Sequence, residues 1–242
     1  MSSITHGLNV AQAQAVNSIQ GPLLILAGAG AGKTKTLTHR ILNLVINGVK
    51  PDSILAITFT NKAAKEMRER VHNLLENHKG LNTPVSMPDR PFVSTFHSLG
   101  VYILKEQHVA LGIPRHFTIY DRNDSKRAVK DALEKLGFDA KQFDPMKILG
   151  AISREKGDYV SHEQYVAKSK DFFSTMVGRV WEEYTAILRK EQALDFDDLL
   201  YVTARLLEKR EDIRALYTAR WKYIHIDEYQ DTNRVQYVIS KL

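Results

Sequence analysis

The sequence predicts an α/β fold in which a helical block is inserted into a parallel-sheet domain. Three observations carry that prediction. Short apolar, β-branched-rich runs at Leu23–Leu26, Ile54–Thr58, Phe92–Thr95 and Tyr223–Asp227 have the length and character of buried parallel strands. The first three alternate with helical periodicity at Thr34–Ile46 and Ala63–Leu75, as strands and helices do in α/β proteins. Between about residues 106 and 190 the strand signal fades, and helical patterns follow one another until the fourth strand arrives. The expected division is therefore one sheet domain from residues 1–105 and 191–242, with residues 106–190 as the helical insertion.

In chain order, Leu23–Leu26 runs straight into Ala27-Gly28-Ala29-Gly30-Ala31-Gly32-Lys33-Thr34. This octet fits the phosphate-loop pattern, with Ala27 where the strict form has Gly. Gly28, Gly30 and Gly32 allow positive φ, which turns successive N–H groups inward around a phosphate. The helix starting near Thr34 adds its partial positive charge. Lys33 is placed to reach the β- and γ-phosphates, and the Thr34 hydroxyl to ligate Mg²⁺. A flexible Ala/Gly turn is the plain alternative, and a strand before with a helix after argue against it.

The next two strands each end in a polar stretch carrying an aromatic: Thr58-Phe59-Thr60-Asn61-Lys62 and Thr95-Phe96-His97-Ser98. An aromatic just past a strand end can stack on a nucleobase, worth about 1–3 kcal/mol per base. Thr58, Thr60, Asn61, Lys62, Thr95 and Ser98 are phosphate and sugar binders by type. For Phe59 and Phe96, packing in the core stands as an equal reading. His97 reads as readily as a hydrogen-bonded structural residue. The nine histidines contain no His-Glu-x-x-His spacing, which argues against a zinc site.

Helical patterns at Asp124–Leu136, Pro145–Ser153 and Asp171–Leu188 fill the inserted block, broken by turn signals at Gly137-Phe138-Asp139 and Gly157-Asp158. Val177, Trp181, Tyr184 and Leu188 share one helical face and read as its core. Asp195, Asp197 and Asp198 read as the start of a helix over Asp197–Lys209, with Asp195 near the cap, rather than as a metal cluster. The last strand ends in two adjacent carboxylates, Asp227 and Glu228. Asp227 at the strand tip suits the metal, and Glu228 suits a base that positions and deprotonates water. An Asp-Glu pair alone is weak; beside a phosphate loop it points to a nucleotide hydrolase rather than a kinase or passive binder.

The chain carries 34 basic and 28 acidic residues, and the excess is uneven. Residues 1–105 hold 11 basic and 5 acidic side chains, whereas residues 191–242 hold 8 and 10. A basic first segment suits a polyanion, nucleic acid or phosphate, and equally an ordinary solvated surface. With no cysteine there is no disulfide scaffold, thiolate zinc site or cysteine nucleophile. No apolar run approaches the roughly 18 residues of a membrane span, and Met1–His6 lacks a secretory signal. A cytoplasmic protein without membrane contact is expected.

Several motifs line up in order along nearly the whole chain. Leu8-Asn9-Val10-Ala11-Gln12-Ala13-Gln14-Ala15-Val16 resembles a Q motif, Ala27–Thr34 a Walker A loop, Ile57–Ala64 motif Ia, and Val93–Ser98 motif Ib. Leu194–Leu199 resembles the stretch upstream of motif II, and Asp227-Glu228-Tyr229-Gln230-Asp231-Thr232-Asn233 motif II itself. On these residues the chain is identified as resembling the UvrD/Rep/PcrA family of superfamily 1 DNA helicases. The resemblance implies a RecA-like P-loop NTPase sheet, called domain 1A, with a helical domain 1B inserted. It implies ATP and Mg²⁺ as cofactors and 3′→5′ movement on DNA. Gln12 would read the adenine edge with both faces of its amide, and motifs Ia and Ib would contact single-stranded DNA. Gln230 would couple the nucleotide and DNA sites. The implied partners are single-stranded DNA, single-strand/double-strand junctions and a second, C-terminal motor domain carrying an arginine finger, with the protein monomeric. A RecB-like helicase–nuclease subunit and a non-motor, ATP-gated binding module are the alternatives. Ala31 stands where the family usually has Ser, Lys35 where it has Arg, and Tyr229 where Phe is common.

Overall fold

A computed structural model describes residues 3–78 and 90–241. The chain divides into two compact units, residues 1–96 with 215–231 and residues 97–214 with 232–242.

The first unit is built on a parallel three-stranded sheet, order β2-β1-β5, from β1 (Ile54–Thr58), β2 (Phe92–Thr95) and β5 (Tyr223–Ile226). Ala56 lies opposite Val93 on one side and His225 on the other. Every residue of β1 is buried, the pattern of a central strand covered on both faces. Helices α1 (Val10–Asn17), α2 (Lys33–Ile46) and α3 (Asn61–Asn77) lie in the same unit. Their apolar faces, with Ile41, Leu44, Met67 and Val71, pack with Ile54, Ala56 and Val93 into one core.

The predicted strand Leu23–Leu26 is irregular and largely exposed, Leu26 by 85%. Among the described residues no strand pairs with it. A strand exists only as a member of a ladder, so apolar composition by itself leaves this segment without strand structure.

The second unit is mostly helical. It begins within α4 (Phe96–Glu106) and includes α5 (His108–Leu111), α6 (Arg122–Lys135), α7 (Pro145–Gly157), α8 (His162–Lys168), α9 (Phe172–Lys190) and α10 (Asp198–Lys209), with α12 (Arg234–Lys241). Helix α11 (Glu211–Arg220) joins the units along the chain. Capping boxes at Asp121, Ser161 and Asp171 satisfy the first N–H groups of α6, α8 and α9. Val177, Trp181, Tyr184 and Leu188 of α9 are buried against α6 and α7, the core their spacing predicted. A short parallel pair, β3 (Thr118–Tyr120) and β4 (Ala193–Asp195), also lies in this unit. The expected absence of strands between 106 and 190 is thus corrected at β3, which is too short to show alternation.

Among the described residues no helix is long and apolar enough to cross a membrane.

Candidate nucleotide and nucleic-acid sites

The loop after Leu26 turns at Gly30 (φ +74°) and Gly32 (φ +82°), the latter capping α2. Gly28 does not use positive φ, so two of the three expected glycines perform the turn. Helix α2 opens at Lys33, one residue earlier than expected. The positive φ of Gly32 favours glycine, and a Cβ there would stand 2.7 Å from Gln12 Nε2 and displace that amide.

Parallel pairing brings the carboxylates to this loop. Asp227 follows β5 and donates its N–H to Ile57 O at 2.9 Å, fixing it at the sheet's carboxyl end, where open α/β sheets bind ligands. Thr34 Oγ1 donates to Asp227 Oδ2 at 3.2 Å. Lys33 Nζ lies 3.3 Å from Ala27 O and 3.6 Å from Glu228 Oε1. Glu228 holds φ at +51°, a left-handed conformation unusual for a residue with a side chain. Gln230 Nε2 donates to Glu228 Oε2 at 2.6 Å, which orients the carboxylate. Backbone strain of this kind collects at functional sites. The two oxygens expected to hold Mg²⁺ are hard donors a hydrogen bond apart, a pairing that fits a cation bound by few protein ligands and by phosphate oxygens. Among the described residues no group of three or more His, Cys, Asp or Glu could hold a metal by itself.

Gln12 braces this loop. Its Nε2 donates to Ala31 O at 2.9 Å and its Oε1 accepts the Asn9 N–H at 3.0 Å. Each face of the amide therefore has one protein partner, leaving one hydrogen and one lone pair for a base. Lys35, the Arg position in the family, donates to Gly7 O at 2.7 Å.

The polar stretches after β1 and β2 separate by burial. Phe96 is only 2% exposed and meets Phe59 edge-on, ring centres 5.9 Å apart, so the core reading holds for Phe96. Thr58 and Thr95, read as phosphate and sugar binders by type, are buried as well. Phe59 is half-buried, while Thr60, Asn61 and Lys62 are exposed at the start of α3, where Thr60 Oγ1 accepts the Ala63 N–H. In the second unit, Ser98 is exposed and His97 half-buried. Burial depresses the His97 pKa to about 4, so its ring is neutral at physiological pH. His97 stacks on Phe196, ring centres 4.1 Å apart at 28°. Phe196 is 56% exposed and was not singled out from the sequence. In the sequence it is an aromatic set among carboxylates inside Leu194–Leu199, the stretch that resembles the one upstream of motif II.

A glycine-built loop facing strand-tip carboxylates at the end of a parallel sheet is the arrangement of a candidate phosphate-loop site. Residues 8–242 match the UvrD/REP helicase N-terminal domain model, and the chain belongs to this family. It is 43% identical to an ATP-dependent DNA helicase PcrA of Leuconostoc citreum, covering 100% of this chain and 31% of the relative. The corresponding protein of Staphylococcus epidermidis strain RP62A is 44% identical, with 32% of it covered, and that of Staphylococcus aureus strain Mu50 is 42% identical, also with 32% covered. The chain thus spans about a third of the length of these curated relatives.

Proposed function

We propose that this chain is a nucleotide- and single-stranded-DNA-binding half of an ATP-dependent 3′→5′ DNA helicase or translocase. One observation carries the reading: the phosphate loop and the carboxylates of a distant strand meet, with Thr34 on Asp227 and Lys33 on Glu228. In this reading residues 1–105 and 191–242 are RecA-like domain 1A, residues 106–190 are the inserted domain 1B, and a second motor domain completes the ATP site.

Lys33 binds the β- and γ-phosphates of ATP and balances charge on the transferring phosphoryl group. Thr34 and Asp227 hold Mg²⁺, which when bound neutralises phosphate oxygens. Glu228, oriented by Gln230, aims the attacking water and takes its proton. Gln12 offers its remaining hydrogen and lone pair to adenine. In the first unit Phe59, Thr60, Asn61 and Lys62 are the contacts for single-stranded DNA; in the second unit, taken by itself, they are His97, Ser98 and Phe196. The flat, neutral His97–Phe196 pair suits stacking of any base, which is how sequence-independent single-strand binders work.

The test is binding of fluorescent ATP in Mg²⁺. Lys33→Ala should weaken it sharply by removing a charge-assisted phosphate contact. GTP should compete poorly, because Gln12 matches adenine. Equal competition by GTP would remove Gln12 from the site, and undiminished binding by Lys33→Ala would remove the phosphate loop.

A further inference from the structure

The second unit contains a buried charged cluster that the nucleotide chemistry does not use. Lys156, near the end of α7, places Nζ 2.7 Å from Asp195 Oδ2 and 2.8 Å from Asp198 Oδ1, and all three side chains are nearly or fully enclosed. Tyr184 of α9 donates its hydroxyl to the same Asp195 oxygen at 2.8 Å. The two aspartates also cross-bond through the backbone: Asp198 N–H donates to Asp195 Oδ1 at 2.7 Å, and Asp195 N–H to Asp198 Oδ2 at 3.3 Å. Burial and the neighbouring Asp195 charge raise the Asp198 carboxyl to about 6. Burial works against the Asp195 charge too, yet Lys156 holds that carboxyl below its ordinary range.

Desolvating a lysine and two carboxylates is costly, so their position is informative. Asp195 and Asp198 bracket a two-residue turn, Phe196-Asp197, between β4 and α10. Strand alternation sends Asp195 inward and the next side chain outward. With one ammonium holding both ends of the turn, Phe196 at its tip projects from the fold and lies flat on His97.

We infer that Lys156 is a positioning residue for Phe196: by holding Asp195 and Asp198 together from inside, it fixes the aromatic platform on the outside. The inference rests on the reading that this platform stacks on single-stranded DNA.

The experiment combines a double-mutant cycle with a direct probe of the ring. Affinity for fluorescein-labelled oligothymidylate is measured at about pH 8, where Asp198 is ionised, for the parent, Phe196→Ala, Lys156→Met and the double variant. In parallel, 4-fluorophenylalanine at position 196 reports the His97 stack as a ring-current shift in fluorine NMR. Phe196→Ala should weaken binding roughly 5- to 150-fold, the fold-change of one lost stacked base. Lys156→Met should weaken it comparably, the double variant should be no weaker than Lys156→Met, and the fluorine resonance should move toward its solvent-exposed position. Additive losses with an unmoved resonance would overturn the positioning role. Full affinity in Phe196→Ala would instead overturn the stacking reading, and the fluorine shift then decides positioning by itself. If Lys156→Met does not fold, Tyr184→Phe removes one bond to the same Asp195 oxygen and is carried through the same cycle, where non-additive losses with a moved resonance support positioning and additive losses with an unmoved one overturn it.

Discussion

Glu228 combines three properties in one residue: a left-handed backbone, a carboxylate oriented by Gln230, and a lysine 3.6 Å away. Glu228→Gln keeps the shape and the hydrogen-bonding capacity while abolishing the basicity. Bound Mg·ATP should therefore persist, and hydrolysis should fall by about 10²–10⁴, the usual worth of a positioned base. Quench-flow hydrolysis beside an equilibrium binding assay separates the two effects, and unchanged turnover removes Glu228 from the base role. Asp227→Asn should act differently, raising the Mg²⁺ concentration needed for binding. His225 is a different kind of residue. Its Nδ1 is shielded and has no partner among the described residues, and burial followed by the nearby Arg40 charge lowers its pKa to about 4. An unfolded histidine takes a proton near pH 6.5, so between about pH 6.5 and 4 the unfolded chain binds the extra proton. Stability from His225 is thus present above pH 6.5 and lost as pH falls through that window. Melting temperatures from pH 7.5 to 5 should fall less steeply for His225→Leu than for the parent, and parallel curves would contradict the assignment.

At the scale of elements, the close approach of α4 to α10 depends on a missing side chain. A Cβ on Gly100 would lie 2.3 Å from the carbonyl oxygen of Leu199. Because the clash is with backbone, Gly100→Ala must push the helices apart. A loss of about 1–3 kcal/mol is expected in urea unfolding, and a neutral result would show that the two helices slide freely. The limits of sequence reading also appear here. β1 and β2 match the predicted Ile54–Thr58 and Phe92–Thr95 residue for residue, since β1 is a nearly continuous apolar run and β2 is rich in aromatic and β-branched residues. Leu23–Leu26 has the same composition and no ladder, because sequence records the tendency to be buried but not the presence of a neighbouring strand. The phosphate loop and the Asp227-Glu228 pair were legible because their chemistry is local and tied to residue type. Phe196 was not, because its stack on His97 joins residues 99 positions apart and exists only after folding. The same limit applies to Phe96, whose residue type suits stacking and whose side chain is buried once the chain folds.

At the scale of the whole molecule, the proposed DNA binding would draw separable contributions from the charge distribution and the exposed aromatics. Neutralising a phosphate releases condensed counterions, so log affinity falls with log salt at a slope of about −0.7 per contact on single strands. Stacking releases none. Lys62 is exposed in the first turn of α3, and in the proposed reading it is a charge contact. Phe59 is half-buried and braced edge-on by Phe96, and in the proposed reading it is a stacking contact. In a salt titration of labelled oligothymidylate, Lys62→Ala should therefore flatten the slope by about 0.7, with its deficit shrinking as salt rises. Phe59→Ala should lower affinity by about 1–3 kcal/mol at every salt concentration and leave the slope alone. The overall slope should be shallow, because the proposed contacts include few cationic side chains and the excess positive charge is spread over a long first segment. Parallel losses from both variants would mean that Lys62 acts through packing rather than charge, and a slope change in Phe59→Ala would mean that its ring organises basic neighbours rather than meeting a base. The two variants thus read, on one oligonucleotide, whether this chain grips its polyanion by charge or by ring.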